Sequence, residues 1–118
     1  MGIWFRAPGL TESESVIWKK VANRTQSANR AVGGRLYLTE TRLIFEPGHF
    51  DALTGGRPWS TPLHAIRGTG SQDRDGSPFS GGLRNRLRLD LADGSVELFV
   101  INDLDLAIEV LERATASA

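Results

Sequence analysis

The chain has 118 residues, fourteen basic and fourteen acidic side chains, a formal charge of zero and no cysteine. That length suits one domain whose hydrophobic core needs no disulfide or metal staple, and the missing cysteines exclude thiol catalysis and thiolate metal sites. Neutrality argues against a nucleic-acid binder, which needs a basic face, and no apolar run approaches the roughly 20 residues of a membrane span.

Residues 1–13 read as an N-terminal tail. Ile3, Trp4 and Phe5 are apolar, but Pro8, Gly9 and the polar Thr11-Glu12-Ser13-Glu14 follow at once. The opening lacks the basic and long apolar regions of a signal peptide. Arg6 stands where myristoylation wants Ser or Thr. Trp4 and Phe5 are expected to dock on the domain or lie disordered, and the sharper reading is insertion into a membrane interface or a partner. The domain itself is expected over 14–115, with 116–118 frayed.

Val16 to Val21 alternates as a first strand, with Val16, Trp18 and Lys20 on one face and Ile17, Lys19 and Val21 on the other. The polar run Asn23 to Arg30 reads as a loop. Val32 to Thr39 and Arg42 to Glu46 follow as two strands around a polar turn. Leu36, Leu38, Leu43 and Phe45 share their inner face, and Gly33-Gly34 predicts a bulge or a close backbone approach. Residues 48–57 form a long connection. Pro58 to Leu63 gives a short fourth strand that its two prolines place at an edge. His64 to Thr69 is a fifth strand centred on Ile66, and 71–82 is a second long loop.

Asn85 to Leu91 and Ser95 to Val100 flank Asp93-Gly94, which predicts a two-residue type I′ hairpin. That turn pairs Leu91 with Val96, Leu89 with Leu98 and Leu87 with Val100 in the core, and sets Asp90 opposite Glu97. Asn102 or Asp103 then caps a helix whose Leu104, Ala107, Ile108 and Leu111 make one apolar stripe.

Seven short strands and one amphipathic helix imply a mainly β, partly open barrel of two antiparallel sheets, with the C-terminal helix as its cap. The run Gly-x-Leu-Tyr-Leu-Thr-x-x-Arg-Leu-Ile-Phe from Gly34 to Phe45, with Pro62 to Ile66 and the hairpin from Arg86 to Val100, resembles the bacterial GRAM-type branch of the pleckstrin-homology-like superfold. The resemblance spans about Glu14 to Leu111. It implies a binding module for membrane lipid, often phosphoinositide, or for a protein partner, in the cytoplasm or at the inner face of the membrane.

Candidate sites follow from charge and from edges. Between Ser15 and Thr39 lie Lys19, Lys20, Arg24, Arg30 and Arg35 with no acidic residue, while the rest of the chain carries a net charge of −5. By resemblance, Lys19 or Lys20 and then Arg35 occupy the places of phosphoinositide-binding cations, and Tyr37 stands where relatives carry Arg. With each cation worth ~1 kcal/mol near an anionic surface, weak peripheral association with anionic lipid is the leading expectation. The competing reading of the same set is a solvated face. Arg84, Arg86 and Arg88 form a secondary outward stripe, with ion pairing to Asp90 and Glu97 as its plainer account. Protein binding is the alternative, at the strand edge near Ile66 or through Ile3, Trp4 and Phe5. No nucleophile, phosphate-loop or dinucleotide motif is present, so no catalysis and no cofactor are expected. His49 with Asp51, and His64, read as plain polar residues.

Overall fold

The protein, seen in a computed structural model, is described over residues 9–27, 30–76 and 82–118. Its strands are β1 (Val16–Ser27), β2 (Arg30–Thr39), β3 (Arg42–Pro47), β4 (Trp59–Pro62), β5 (Ile66–Gln72), β6 (Arg86–Leu91) and β7 (Val96–Ile101). A five-residue helix, α1 (His49–Leu53), lies between β3 and β4, a single 3₁₀ turn (Leu63–Ala65) leads into β5, and α2 (Leu104–Ala116) ends the fold. All neighbours are antiparallel, in the order β4-β3-β2-β1-β7-β6-β5. The seven strands thus form one continuous, unclosed sheet in place of the two expected.

The sheet curls so that both halves of its inner face share one core. Val32, Leu36, Leu38, Leu43 and Phe45 come from one half, and Leu87, Leu89, Phe99 and Ile101 from the other. Curling needs room where strands cross. Ala22 pairs with Gly34 on one side and Ile101 on the other, and Gly34 pairs with Pro47. A Cβ at Gly34 would sit 2.2 Å from the Glu46 carbonyl oxygen, 2.8 Å from the Phe45 ring and 2.8 Å from Pro47 Cα. The glycine pair therefore marks a close approach, not a bulge. Phe45 occupies the freed space and meets Phe99 at 5.8 Å between ring centroids, and Phe99 meets Trp59 at the same distance.

Two expectations are corrected. The polar run after Val21 is strand, since β1 continues to Ser27 and pairs with β2 along its length. It is polar on both rows because it forms the rim of the barrel, where the inward Arg24 meets Glu97.

The β6–β7 hairpin is also offset by one residue from the expected register. Leu87 faces Phe99, Leu89 faces Glu97 and Asp90 faces Val96. Gly94 N–H donates to Leu91 O and Leu91 N–H to Ser95 O, each 2.9 Å, and Gly94 has φ +87°. The loop is therefore three residues long, Ala92 to Gly94, with glycine in the left-handed position that a G1 bulge requires. Asp93 Oδ1 accepts from Ser95 N–H and Oγ–H and so braces this longer turn. A slip of one residue exchanges the faces of a strand. Phe99 and Ile101 enter the core, Val96 turns outward, and the expected Asp90–Glu97 clash does not arise.

At the other end of the barrel, Glu14 is clamped to the β2–β3 turn. Its carboxylate accepts from Arg42 Nε (2.7 Å) and Nη2 (2.8 Å), Thr39 Oγ1 (2.7 Å), Thr41 Oγ1 (3.1 Å) and Thr11 N–H (3.1 Å). These donors, Arg42 and then Thr39 foremost, hold the Glu14 carboxyl far below the usual carboxylate range. α2 packs on β5, β6 and the 3₁₀ turn, burying Ala107 and Leu111. It starts from Asp103 in a left-handed conformation (φ 55°) with no side-chain cap, because the Asp103 carboxylate is engaged elsewhere.

Gly34→Ala should cost about 2–3 kcal/mol or more, because backbone and not a mobile side chain blocks the new methyl. Gly70→Ala, whose Cβ meets nothing within 4 Å, should leave the urea midpoint almost unchanged.

Candidate functional site

The five expected cations do not converge. Lys19 and Arg35 lie on the outer face of the β1–β2 pair, and Lys20 and Arg24 on the inner row with Trp18 and Ala22. Lys20 Nζ donates to Asp103 Oδ2 at 2.8 Å, which pulls the Asp103 carboxyl below its usual range. Arg30 donates to the Thr54 carbonyl and hydroxyl oxygens and lies 3.7 Å from Asp51, so it fastens α1 to the hairpin tip.

Arg24 closes the rim. Its Nε and Nη2 reach the two Glu97 carboxylate oxygens at 2.8 and 3.1 Å, and its guanidinium sits 5.7 Å from the Trp59 ring centroid. Both side chains are nearly buried, at 12% and 13% exposure. Glu97 can reach Arg24 only because of the longer β6–β7 loop, which turns it inward. The pair neutralises the cation that a headgroup site at this rim would use.

The secondary stripe is also divided. Arg86 is buried at 2% exposure with Asp75 at 3.1 Å and Thr25 Oγ1 at 3.3 Å, a correction to its outward expectation. Arg88 pairs with Asp90 and Gln72, and the exposed Arg84 donates to Asn102. Ile3, Trp4 and Phe5 lie outside the described residues.

The strand edge near Ile66 has a definite form. Ile66 itself is buried in the core, so its side chain is no docking handle. The backbone is another matter: β5 ends the sheet, and among the described residues its main-chain groups bond to β6 alone. Beside it runs a groove of about 480 Å³ lined by Ile66, Arg67, Gly68, Thr69, Glu112, Thr115 and Ala116. The opposite edge is protected, because β4 has only four residues, with Pro58 before it and Pro62 within it.

A second groove, about 530 Å³, lies on the other flank of α2. Ile17, Trp18, Leu38, Leu63, Val110 and Ala114 line it, with Glu40, Arg113 and Ser117 at its rim. The sequence reading missed these residues, although a signal exists. Val110 and Ala114 broaden the apolar stripe of α2 on one side beyond Leu104, Ala107, Ile108 and Leu111. Ile17 is an apolar residue on the outward row of β1. Among the described residues no group of three or more His, Asp or Glu side chains is placed to hold a metal, and no helix is long and apolar enough to cross a membrane.

Glu97→Ala should destabilise the fold by about 2–3 kcal/mol by leaving Arg24 nearly buried and unpaired. Arg24→Met with Glu97→Leu should recover most of that loss in a urea titration. Glu14 predicts an acid response: its folded pKa is depressed, so its contribution is present above the unfolded value of about 4.3 and fades as pH falls. Glu14→Gln should therefore start less stable at neutral pH and lose less melting temperature than the parent on acidification below about pH 4.5.

No protein-family model matches the chain, and no curated protein does. Among solved structures it is similar to the C-terminal domain of an unknown protein from Leishmania infantum. The two share 12% identity over 88% of this chain and 86% of that one, with a TM-score of 0.68. It is also similar to the Vps36 N-terminal PH domain, at 20% identity over 93% of this chain and 85% of that one, with a TM-score of 0.63. The chain thus adopts a pleckstrin-homology-like fold: a curled, unclosed sheet of seven antiparallel strands with a C-terminal helix.

Proposed function

We propose that this chain is a non-catalytic binding module that takes an extended protein segment along the open edge of β5, against α2. Pleckstrin-homology-like folds serve as binding modules for lipids or proteins, and the choice between them rests on the site and not on the fold. The observation that carries the protein reading is the contrast between the two sheet edges. β4 is short and proline-flanked, whereas β5 offers seven residues without proline, beside a groove. Strand addition needs that combination of free main-chain groups and adjacent pockets.

Anionic-lipid association through Lys19, Lys20, Arg24, Arg30 and Arg35 is the less supported reading. Those cations lie on two faces, and three of them have a carboxylate within ion-pair distance.

Magnitudes constrain the ligand. Three or four ladder bonds at about 1 kcal/mol each do not offset an association cost of roughly 4–15 kcal/mol. Side chains of the bound segment must therefore fill the groove, and its partly polar lining favours modest affinity. Peptides selected from a random displayed library on the intact protein should slow hydrogen exchange at β5 amides. Ala116→Trp, which fills the groove from an exposed position, should weaken them by about tenfold. If no selected peptide both slows exchange at β5 and loses affinity in Ala116→Trp, strand addition is refuted.

A further inference from the structure

We infer that the apolar groove between β1 and α2 is a second docking site, for a protein segment that presents large apolar side chains and a Lys or Arg. The site is separate from the β5 edge, since Val110 and Ala114 face one flank of α2 while Glu112, Thr115 and Ala116 face the other. Its volume, about 530 Å³, lies within the range of working pockets. Six apolar side chains from four elements, β1, β2, the 3₁₀ turn and α2, form its walls. Ile17, on the β1 side of the groove, is 59% exposed.

Charge at the rim selects the occupant. Glu40 stands at the β2–β3 end, where its oxygens accept Ser15 N–H at 2.9 Å and Ser15 Oγ–H at 2.6 Å. Those two bonds favour its ionised form and hold its carboxyl below the usual range. The C-terminal end of α2 adds the partial negative charge of its last carbonyls. Arg113, the cation lining the groove, has Glu109 at 2.5 Å, and this solvent-exposed i,i+4 pair offsets its charge locally. The next cation along β1 is Lys19, farther from Glu40, because Val16 at the start of the strand pairs with Thr39. The basic residue of the occupant is therefore directed toward Glu40, with its apolar side chains over Ile17, Trp18 and Val110. The Glu14–Arg42 clamp fixes the β2–β3 turn before any partner arrives, so the rim is preorganised.

The test uses the full chain and two probes: Nile red, an uncharged apolar dye, and a random displayed peptide library. Nile red fluorescence should rise with the parent and with Glu40→Gln and be lost with Ile17→Glu, a change at an exposed position. Selected peptides that do not protect β5 from exchange should combine apolar residues with Lys or Arg. Their affinity should fall about tenfold or more in Ile17→Glu and about threefold in Glu40→Gln. Ala116→Trp should leave it unchanged, which separates this site from the β5 edge. Acidic sequences among the Ile17-sensitive peptides, or no peptide sensitive to Ile17→Glu, would overturn the inference. So would Ile17-dependent binding to phosphatidylcholine or phosphatidylserine vesicles, or self-association abolished by Ile17→Glu, since each assigns the groove to a different occupant.

Discussion

The rest of the structure depends on an absence of atoms at Gly34. A continuous antiparallel sheet cannot fold onto itself unless some strand pair lets backbone and ring approach closely, and here any side chain would strike the Glu46 carbonyl and Pro47. Phe45 uses that space, and through Phe99 and Trp59 it links the core to the rim residue Arg24. A packing constraint in the middle of the sheet therefore reaches Arg24, one of the five cations expected to meet an anionic surface. Native interiors transmit such constraints because they have little free volume to absorb them.

Polar pairing shapes the surface as much as packing shapes the core. The segment from Ser15 to Thr39 has no acidic residue in sequence, yet Asp103, Glu97 and Asp51 return to it from distant positions. Three of the five cations of this stretch thus have a carboxylate beside them in space, which shifts attention to the sheet edge and the grooves. This shift turns the functional reading from electrostatics toward backbone complementarity and apolar contact.

The strands of the central hairpin were legible because their alternation is local: Leu36, Leu38, Leu43 and Phe45 announce their face within a few residues. The stripe of α2 was legible for the same reason. The extension of β1 was not, because Asn23 to Ser27 is polar on both rows and a rim strand lacks the contrast that periodicity detects. The buried position of Arg86 was hidden too, since nothing in Arg84-Asn85-Arg86 says that Asp75 and Thr25 will meet it. The groove beside Ile17 exists only once β1 and α2 are brought together. Sites assembled from distant segments leave weak traces in any one of them.

The loop between β6 and β7 has an evolutionary consequence. Its three residues set the parity of the strand that follows, so its length is constrained as tightly as a reading frame. Deleting one residue between Leu91 and Val96 would carry Leu98 and Val100 inside and turn Phe99 and Ile101 to water. Glu97 would lose Arg24 in the same event. Compensation would require the apolar and polar positions of the whole strand to exchange together. Insertions and deletions should therefore be rare at this turn among descendants of the chain, even where the identities of Ala92 and Asp93 drift.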